Sequence, residues 1–201
     1  RSDFMSVNEI GNSLNFNLKQ PYFLVTYHPV TLGEEPPEQS FTALLDALDE
    51  FKDHQVILTY PNADDGGRRI IPILEDYAKQ HPNRVCAIPS LGQKRYLSTV
   101  KNAAVVIGNS SSGIIEVPAF NVPTVNIGVR QKGRLAAKSV LNCIATKAAI
   151  SAAIKSAVTG SYKAPGETII NPYGAGNASA QAIQMLKSLE FEPSKSFYDL
   201  K

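Results

Sequence analysis

A chain of 201 residues, 43% hydrophobic and 19% charged, is long enough to bury a sizeable core and has the balance of a globular protein. Its net charge of +2 is too small to argue for nucleic acid or an anionic membrane as partner, and no apolar run approaches the roughly 20 residues of a membrane span. Two cysteines in strand-like runs (Cys86 and Cys143), three scattered histidines and no signal peptide lead us to expect a cytoplasmic protein with free core thiols and no metal site. The first residue is Arg1 rather than Met, as expected of a piece of a longer protein.

In chain order, the first strand-like run spans 22–28 and closes on the polar "TYHPVTL". Pro36 and Pro37 open a helical stretch, "PEQSFTALLDALDEF", whose Phe41, Leu44, Leu45, Leu48 and Phe51 recur at helical spacing. A run at 55–60 leads into "PNADDGGR" and a second helical stretch, "GGRRIIPILEDYAKQ", stopped by Pro82. Strand 84–88 precedes "GQKRYLSTVKNA", and strand 103–108 precedes "SGIIEVPAF". The pattern finishes with strands 124–128 and 141–145 and the helical "TKAAISAAIKSAV". No repeat, low-complexity tract or interdomain linker interrupts it.

Short strands, apolar on both faces and alternating with helices, predict an α/β fold with a doubly wound, parallel six-stranded, Rossmann-like sheet. The commonest order, 3-2-1-4-5-6, places strands one and four side by side. Ligands of such sheets bind outside the carboxyl ends of the strands, where the order reverses. Here those ends are "TYHPVTL" and "GNSSSGIIE", so His28 and Ser110, Ser111 and Ser112 are expected in one crevice.

Small residues at a strand-to-helix turn let the backbone approach an anion, and serine hydroxyls add donors. The simpler reading is a polar helix cap, for which one serine suffices. Nucleophile-elbow, Walker and dinucleotide-binding glycine patterns are absent from this stretch. Glu116 has no Ser or Thr three residues earlier, which leaves its carboxylate either to accept from a vicinal diol or to complement a helix dipole. His28 either donates to a phosphate or serves as a hydrogen-bonded structural residue. Arg130, Lys132 and Arg134 in "VRQKGR" sit at the same edge, as phosphate contacts or as solvated surface. Asp64 and Asp65, before Gly66 and Gly67, read as a turn and helix cap.

Together "TYHPVTL", "PNADDGGR", "GNSSSGIIEVPAFNVPTVNIGVRQKGR", "SVLNC" and "NPYGAGNAS" resemble the carboxyl-terminal half of the UDP-N-acetylglucosamine 2-epimerases, the hydrolysing branch of sialic acid synthesis above all. The string from 108 to 134 is the specific part; "NPYG" alone is weak. The resemblance implies one half of a glycosyltransferase-B-like fold, with residues 1–201 forming a UDP-binding domain. Residues 22–175 would hold the sheet core, and a terminal helix at 176–189 would pack toward an amino-terminal domain. It also implies UDP-binding roles for His28, Ser110, Ser111, Ser112, Glu116 and Arg130, and more weakly for Asn62 and for Ser90 and Leu91 near the uracil. The implied reaction eliminates UDP from UDP-N-acetylglucosamine and hydrates the product to N-acetylmannosamine. It needs no cofactor, its acid–base carboxylates lie in the other domain, and a homo-oligomer is expected of the whole enzyme. Non-hydrolysing 2-epimerases, those acting on UDP-diacetylbacillosamine and a non-catalytic nucleotide-sugar binding module are the alternatives.

Overall fold

The computed structural model of the protein describes residues 3–30, 36–174 and 176–190. Six strands form one parallel sheet: β1 (Tyr22–Thr26), β2 (Gln55–Thr59), β3 (Val85–Ile88), β4 (Val105–Gly108), β5 (Thr124–Ile127) and β6 (Val140–Cys143). Their order is β3-β2-β1-β4-β5-β6, which makes β1 and β4 neighbours with Thr26 opposite Gly108. This is the doubly wound order expected from the alternation. Strands β1, β2, β5 and β6 end one or two residues sooner than the runs that marked them; of the residues beyond them, Tyr27, Tyr60 and Ala145 still pack on the core. Thr31 and Leu32 of "TYHPVTL" and Ala175 of "NPYGAGNAS" lie outside the described residues.

The helices are α1 (Val7–Leu14), α2 (Pro37–Leu48), α3 (Asp65–Gln80), α4 (Gly92–Asn102), α5 (Ser112–Ile115), α6 (Lys147–Thr159) and α7 (Ala178–Ser188), with a 3-10 turn at Val117–Phe120. Successive strand residues point to opposite faces, so both sides of each inner strand need cover. Phe23 and Val25 enter a core with Val56, Leu58, Val105, Ile107, Val125 and Ile127, closed by side chains of α2, α3 and α6. Tyr22 and Leu24 enter the other core with Ile57 and Val106, against Val100 of α4 and Val117 of the 3-10 turn. Phe41, Leu44 and Leu48 of α2 are buried, each contributing roughly 1.5–3 kcal/mol of apolar burial.

Two elements differ from expectation. Helix α1 was not anticipated, although a capping box starts it: Ser6 Oγ accepts from the Glu9 N–H and Glu9 Oε2 from the Ser6 N–H. Its Ile10 is fully buried, and the Met5 N–H donates to Ser98 Oγ of α4, so cover for the sheet begins before residue 22. The expected single helix over 112–120 breaks at Glu116 into α5 and the 3-10 turn. Pro118 has no N–H to continue an α-helical ladder.

Cys86 lies on β3 and Cys143 on β6, the opposite edges of the sheet, and both thiols are free. Helix α7 buries none of its residues, and Ile183, Met185 and Leu186 are exposed along it.

Candidate functional site

The turn after β4 begins with a glycine that has no substitute. Gly108 has φ +136°, and a Cβ there would collide with the carbonyl of Thr26. The chain can therefore leave β4 pressed against β1. Asn109 follows, 1% exposed, and its side-chain amide serves both main-chain groups of His28. Oδ1 accepts from the His28 N–H at 2.7 Å, and Nδ2 donates to the His28 carbonyl at 2.7 Å. The Asn109 carbonyl accepts from Arg130 Nη1 at 3.1 Å and from Gln131 Nε2 at 2.8 Å.

The imidazole of His28 is also held. Its Nδ1 accepts from the Asn62 N–H at 3.2 Å, which leaves the proton of the neutral ring on Nε2. Burial lowers the His28 pKa, the Arg130 charge lowers it further, and Asp64 works against both. The ring is thus a neutral donor at pH 7. Asp64 itself caps α3, Oδ1 accepting from the Gly67 N–H at 2.7 Å, in agreement with the turn-and-cap reading.

Beside this cluster lies a cavity of about 270 Å³ at the carboxyl ends of the strands, lined by Thr26, Thr59, Tyr60, Ser90, Leu91, Tyr96 and Ser110 among others. Arg95 shapes its rim, donating from Nε to the Leu91 carbonyl and from Nη2 to the Ser90 carbonyl, both at 3.1 Å. The Tyr96 phenol donates to Ser112 Oγ at 2.7 Å, and burial raises the Tyr96 pKa so that it stays protonated. Ser111 is the N-cap residue of α5, but its hydroxyl caps nothing. Ser111 therefore does not fill the plain capping role at the start of α5. Helix α5 has only four residues, so its dipole is small and any anion cradle here rests on N–H groups and hydroxyls.

Glu116 ends α5 and starts the 3-10 turn, each of four residues, so there is little helix dipole for its charge to complement. Its carboxylate is exposed and has no hydrogen bond or ion pair among the described residues. The chain returns to this corner near its end. Asn171 Nδ2 donates to the Ile115 carbonyl at 3.2 Å, and Tyr173 Oη donates to the Leu135 carbonyl at 3.0 Å. The "NPY" segment thereby ties the Glu116 turn to the loop after β5. Lys132 and Arg134 are exposed on that loop, and no described hydrogen bond draws their side chains toward Asn109.

The structure brings His28, Asn62 and Arg130 into one hydrogen-bonded cluster, places Ser90, Leu91 and Ser110 around one cavity, and joins Ser112 to it through Tyr96. Sequence reasoning missed Asn109, Gln131, Tyr96, Arg95 and Tyr173. Asn109 stood inside the serine stretch, but its partner is 81 residues away and no local spacing reveals it. Among the described residues no group of His, Cys, Asp and Glu could hold a metal ion, and no helix is long and apolar enough to cross a membrane.

The family profile described as UDP-N-acetylglucosamine 2-epimerase matches residues 4–187. The chain belongs to that family. This epimerase-family chain is 38% identical over 140 residues to a Campylobacter jejuni GDP/UDP-N,N'-diacetylbacillosamine 2-epimerase (hydrolyzing), covering 70% of the chain and 36% of that protein. It is 34% identical over 188 residues to the Escherichia coli polysialic acid biosynthesis protein P7, covering 92% and 48%. The crystal structure of the Neisseria meningitidis UDP-GlcNAc 2-epimerase bound to UDP-GlcNAc matches with a TM-score of 0.66 at 15% identity, over 90% of this chain and 48% of that one. The chain spans half or less of the length of each of these relatives. At so low an identity the structural likeness is one of fold, that of a doubly wound half of a glycosyltransferase-B-like architecture.

Proposed function

We propose that residues 1–201 are the carboxyl-terminal, UDP-binding domain of a hydrolysing UDP-N-acetylglucosamine 2-epimerase, acting in the cytoplasm as a homo-oligomer. The observation that carries this reading is the convergence of His28, Asn62, Asn109 and Arg130 where β1 meets β4, beside the cavity lined by Ser90, Leu91 and Ser110. The diphosphate would meet the His28 Nε2–H, the Arg130 guanidinium and the N–H and hydroxyl groups of Ser110, Ser111 and Ser112. The uracil would enter the cavity near Leu91, and the unpaired Glu116 carboxylate would accept from the ribose hydroxyls.

The chemistry suits such a half-site. Elimination of UDP transfers the C1–O electron pair to the departing diphosphate while a base removes the C2 proton. Hydration of the resulting 2-acetamidoglucal gives N-acetylmannosamine. Donors and a cation held in place before reaction stabilise the growing diphosphate charge, which is often the largest single term in catalysis. The groups that move the C2 proton belong, in this reading, to a preceding domain. Helix α7, apolar and uncovered at Ile183, Met185 and Leu186, would pack toward it.

The 38% identity to the C. jejuni enzyme favours a second reading, in which the sugar is diacetylated bacillosamine. Sugar contacts come mainly from the other domain in both cases. An assay of the longer parent protein with each UDP-sugar decides between them. Release of N-acetylmannosamine supports the first reading; release of the diacetamido sugar alone supports the second. Absence of UDP release from either sugar sinks both.

A further inference from the structure

We infer that the Asn109 side chain is a positioning group that sets the His28 imidazole, beside Arg130, for the diphosphate of a nucleoside diphosphate. The ligand named here rests on the reading above; the positioning itself rests on the geometry.

His28 lies two residues beyond the last residue of β1, and β4 has already ended at Gly108, so no ladder bond from β4 reaches it. Asn109 stands in for the missing strand. A primary amide offers one acceptor and one donor in a plane, matching the N–H and carbonyl of one residue, and both contacts are short. Aspartate would face the His28 carbonyl with a second acceptor, and serine or threonine would reach one group only. At 1% exposure the amide does not itself meet a ligand. It acts through what it holds.

Two groups are held. With its main chain clamped, His28 keeps Nδ1 against the Asn62 N–H and Nε2–H as the free donor. The main-chain carbonyl at position 109, which does not depend on the side chain, anchors the otherwise exposed Arg130 side chain through Nη1, and the buried Gln131 beside it through Nε2. A long cation fastened before the ligand arrives loses less rotamer freedom on binding than a free one. The Asn109 amide thus prepares the neutral donor, beside a cation fixed by the main chain of the same turn, from segments 102 residues apart in sequence, from His28 to Arg130.

The test measures UDP and uridine affinity by calorimetric titration for the 201-residue chain, for Asn109→Ala, and for Asn109→Ala combined with His28→Ala and Arg130→Ala. We expect Asn109→Ala to weaken UDP about tenfold and leave uridine unchanged, since the alanine releases His28, keeps the main-chain carbonyl that holds Arg130, and only the phosphates meet the His28 ring. In the double-substituted background the same change should cost UDP nothing further. Equal losses for UDP and uridine, or the full tenfold loss persisting in that background, would show a merely structural residue. Nitrogen NMR of the ligand-free chain gives an independent readout. The His28 ring should be the Nε2–H tautomer in the parent and a mixture in Asn109→Ala, and an unchanged ring overturns the inference whatever UDP does. If His28→Ala and Arg130→Ala bind UDP as the parent does, the UDP reading fails, and the ring still decides whether Asn109 positions it. Asn109→Ser stays neutral and reaches only one of the two His28 main-chain groups. It carries the same measurements, with the same expected split, should the alanine variant not fold.

Discussion

No side chain fits between Gly108 and Thr26: the two residues are opposite in the β4–β1 register, and a Cβ on the glycine would overlap the threonine carbonyl. The φ of +136° adds backbone strain to that collision for any other residue. Gly108→Ala should therefore destabilise the chain by on the order of 3 kcal/mol, a large effect for a change of one methyl group. Urea unfolding monitored by circular dichroism checks it. A midpoint equal to the parent's would mean that the β1–β4 junction relaxes freely, and with it the clamp on His28.

Glu116→Gln should leave stability almost unchanged and weaken UDP. The carboxylate has no partner among the described residues and no long helix to complement, so removing its charge takes away no described stabilising contact. A hydrogen bond from a ribose hydroxyl to a charged acceptor contributes about 1.5–3 kcal/mol, roughly a 10- to 150-fold change in affinity. Calorimetric titration with UDP measures it directly. Parent-like affinity in the variant would take Glu116 out of the site.

The strand order was legible because each strand is a short run, apolar on both faces, and right-handed crossovers leave few arrangements for six of them. The neighbouring ends of β1 and β4, where the candidate site lies, followed from the same reasoning, since this requires only knowing which strands are adjacent. Other features depend on contacts that spacing does not encode. Helix α1 is eight residues long and owes its place to Ile10 and to the docking of Met5 on Ser98, although Ser6 and Glu9 marked its start. The break at Glu116 was signalled by Pro118, yet the apolar spacing of 112–120 suits one continuous helix. Asn109 was the hardest to read. An asparagine after a strand has many local uses, and only the fold brings His28 within reach of its amide.

The depressed pKa of His28 predicts a pH dependence of stability with a definite sign. In the unfolded chain the imidazole takes its proton near its ordinary value of 6.5; in the folded chain it does so only at lower pH. Between those two values the unfolded state binds more protons, so stability falls as pH falls through that window and is fully present above it. Replacing His28 with Gln should flatten this part of the profile. Urea midpoints of parent and variant from pH 8 to pH 5 test it: the two curves should run parallel at the alkaline end and diverge below about 6.5, the parent falling faster. Parallel curves throughout would mean that burial and Arg130 do not hold the ring neutral.

The 201-residue chain on its own should bind UDP and release none from UDP-N-acetylglucosamine. Binding is expected because the sheet carries its own two cores and the His28, Asn109 and Arg130 cluster closes without help from any further segment. Turnover is not, because elimination needs a base at C2, and general acid–base groups give about 10²- to 10⁴-fold only within hydrogen-bond reach of the proton they move. The nearest tempting carboxylates are already employed or displaced from that task. Asp64 accepts from the Gly67 N–H and fixes the start of α3, Asp65 sits in the first turn of the same helix, and Glu116 is the carboxylate we propose for the ribose. Incubating the purified chain with UDP-N-acetylglucosamine should give UDP no faster than buffer does, while calorimetry on the same preparation registers UDP binding. Steady release of UDP that is lost in Asp64→Asn or Asp65→Asn would place the base in this chain and overturn the division of labour between the two halves. If the change also unfolds α3, Asp64→Ser separates the two effects, because serine can cap the helix but cannot act as a carboxylate base.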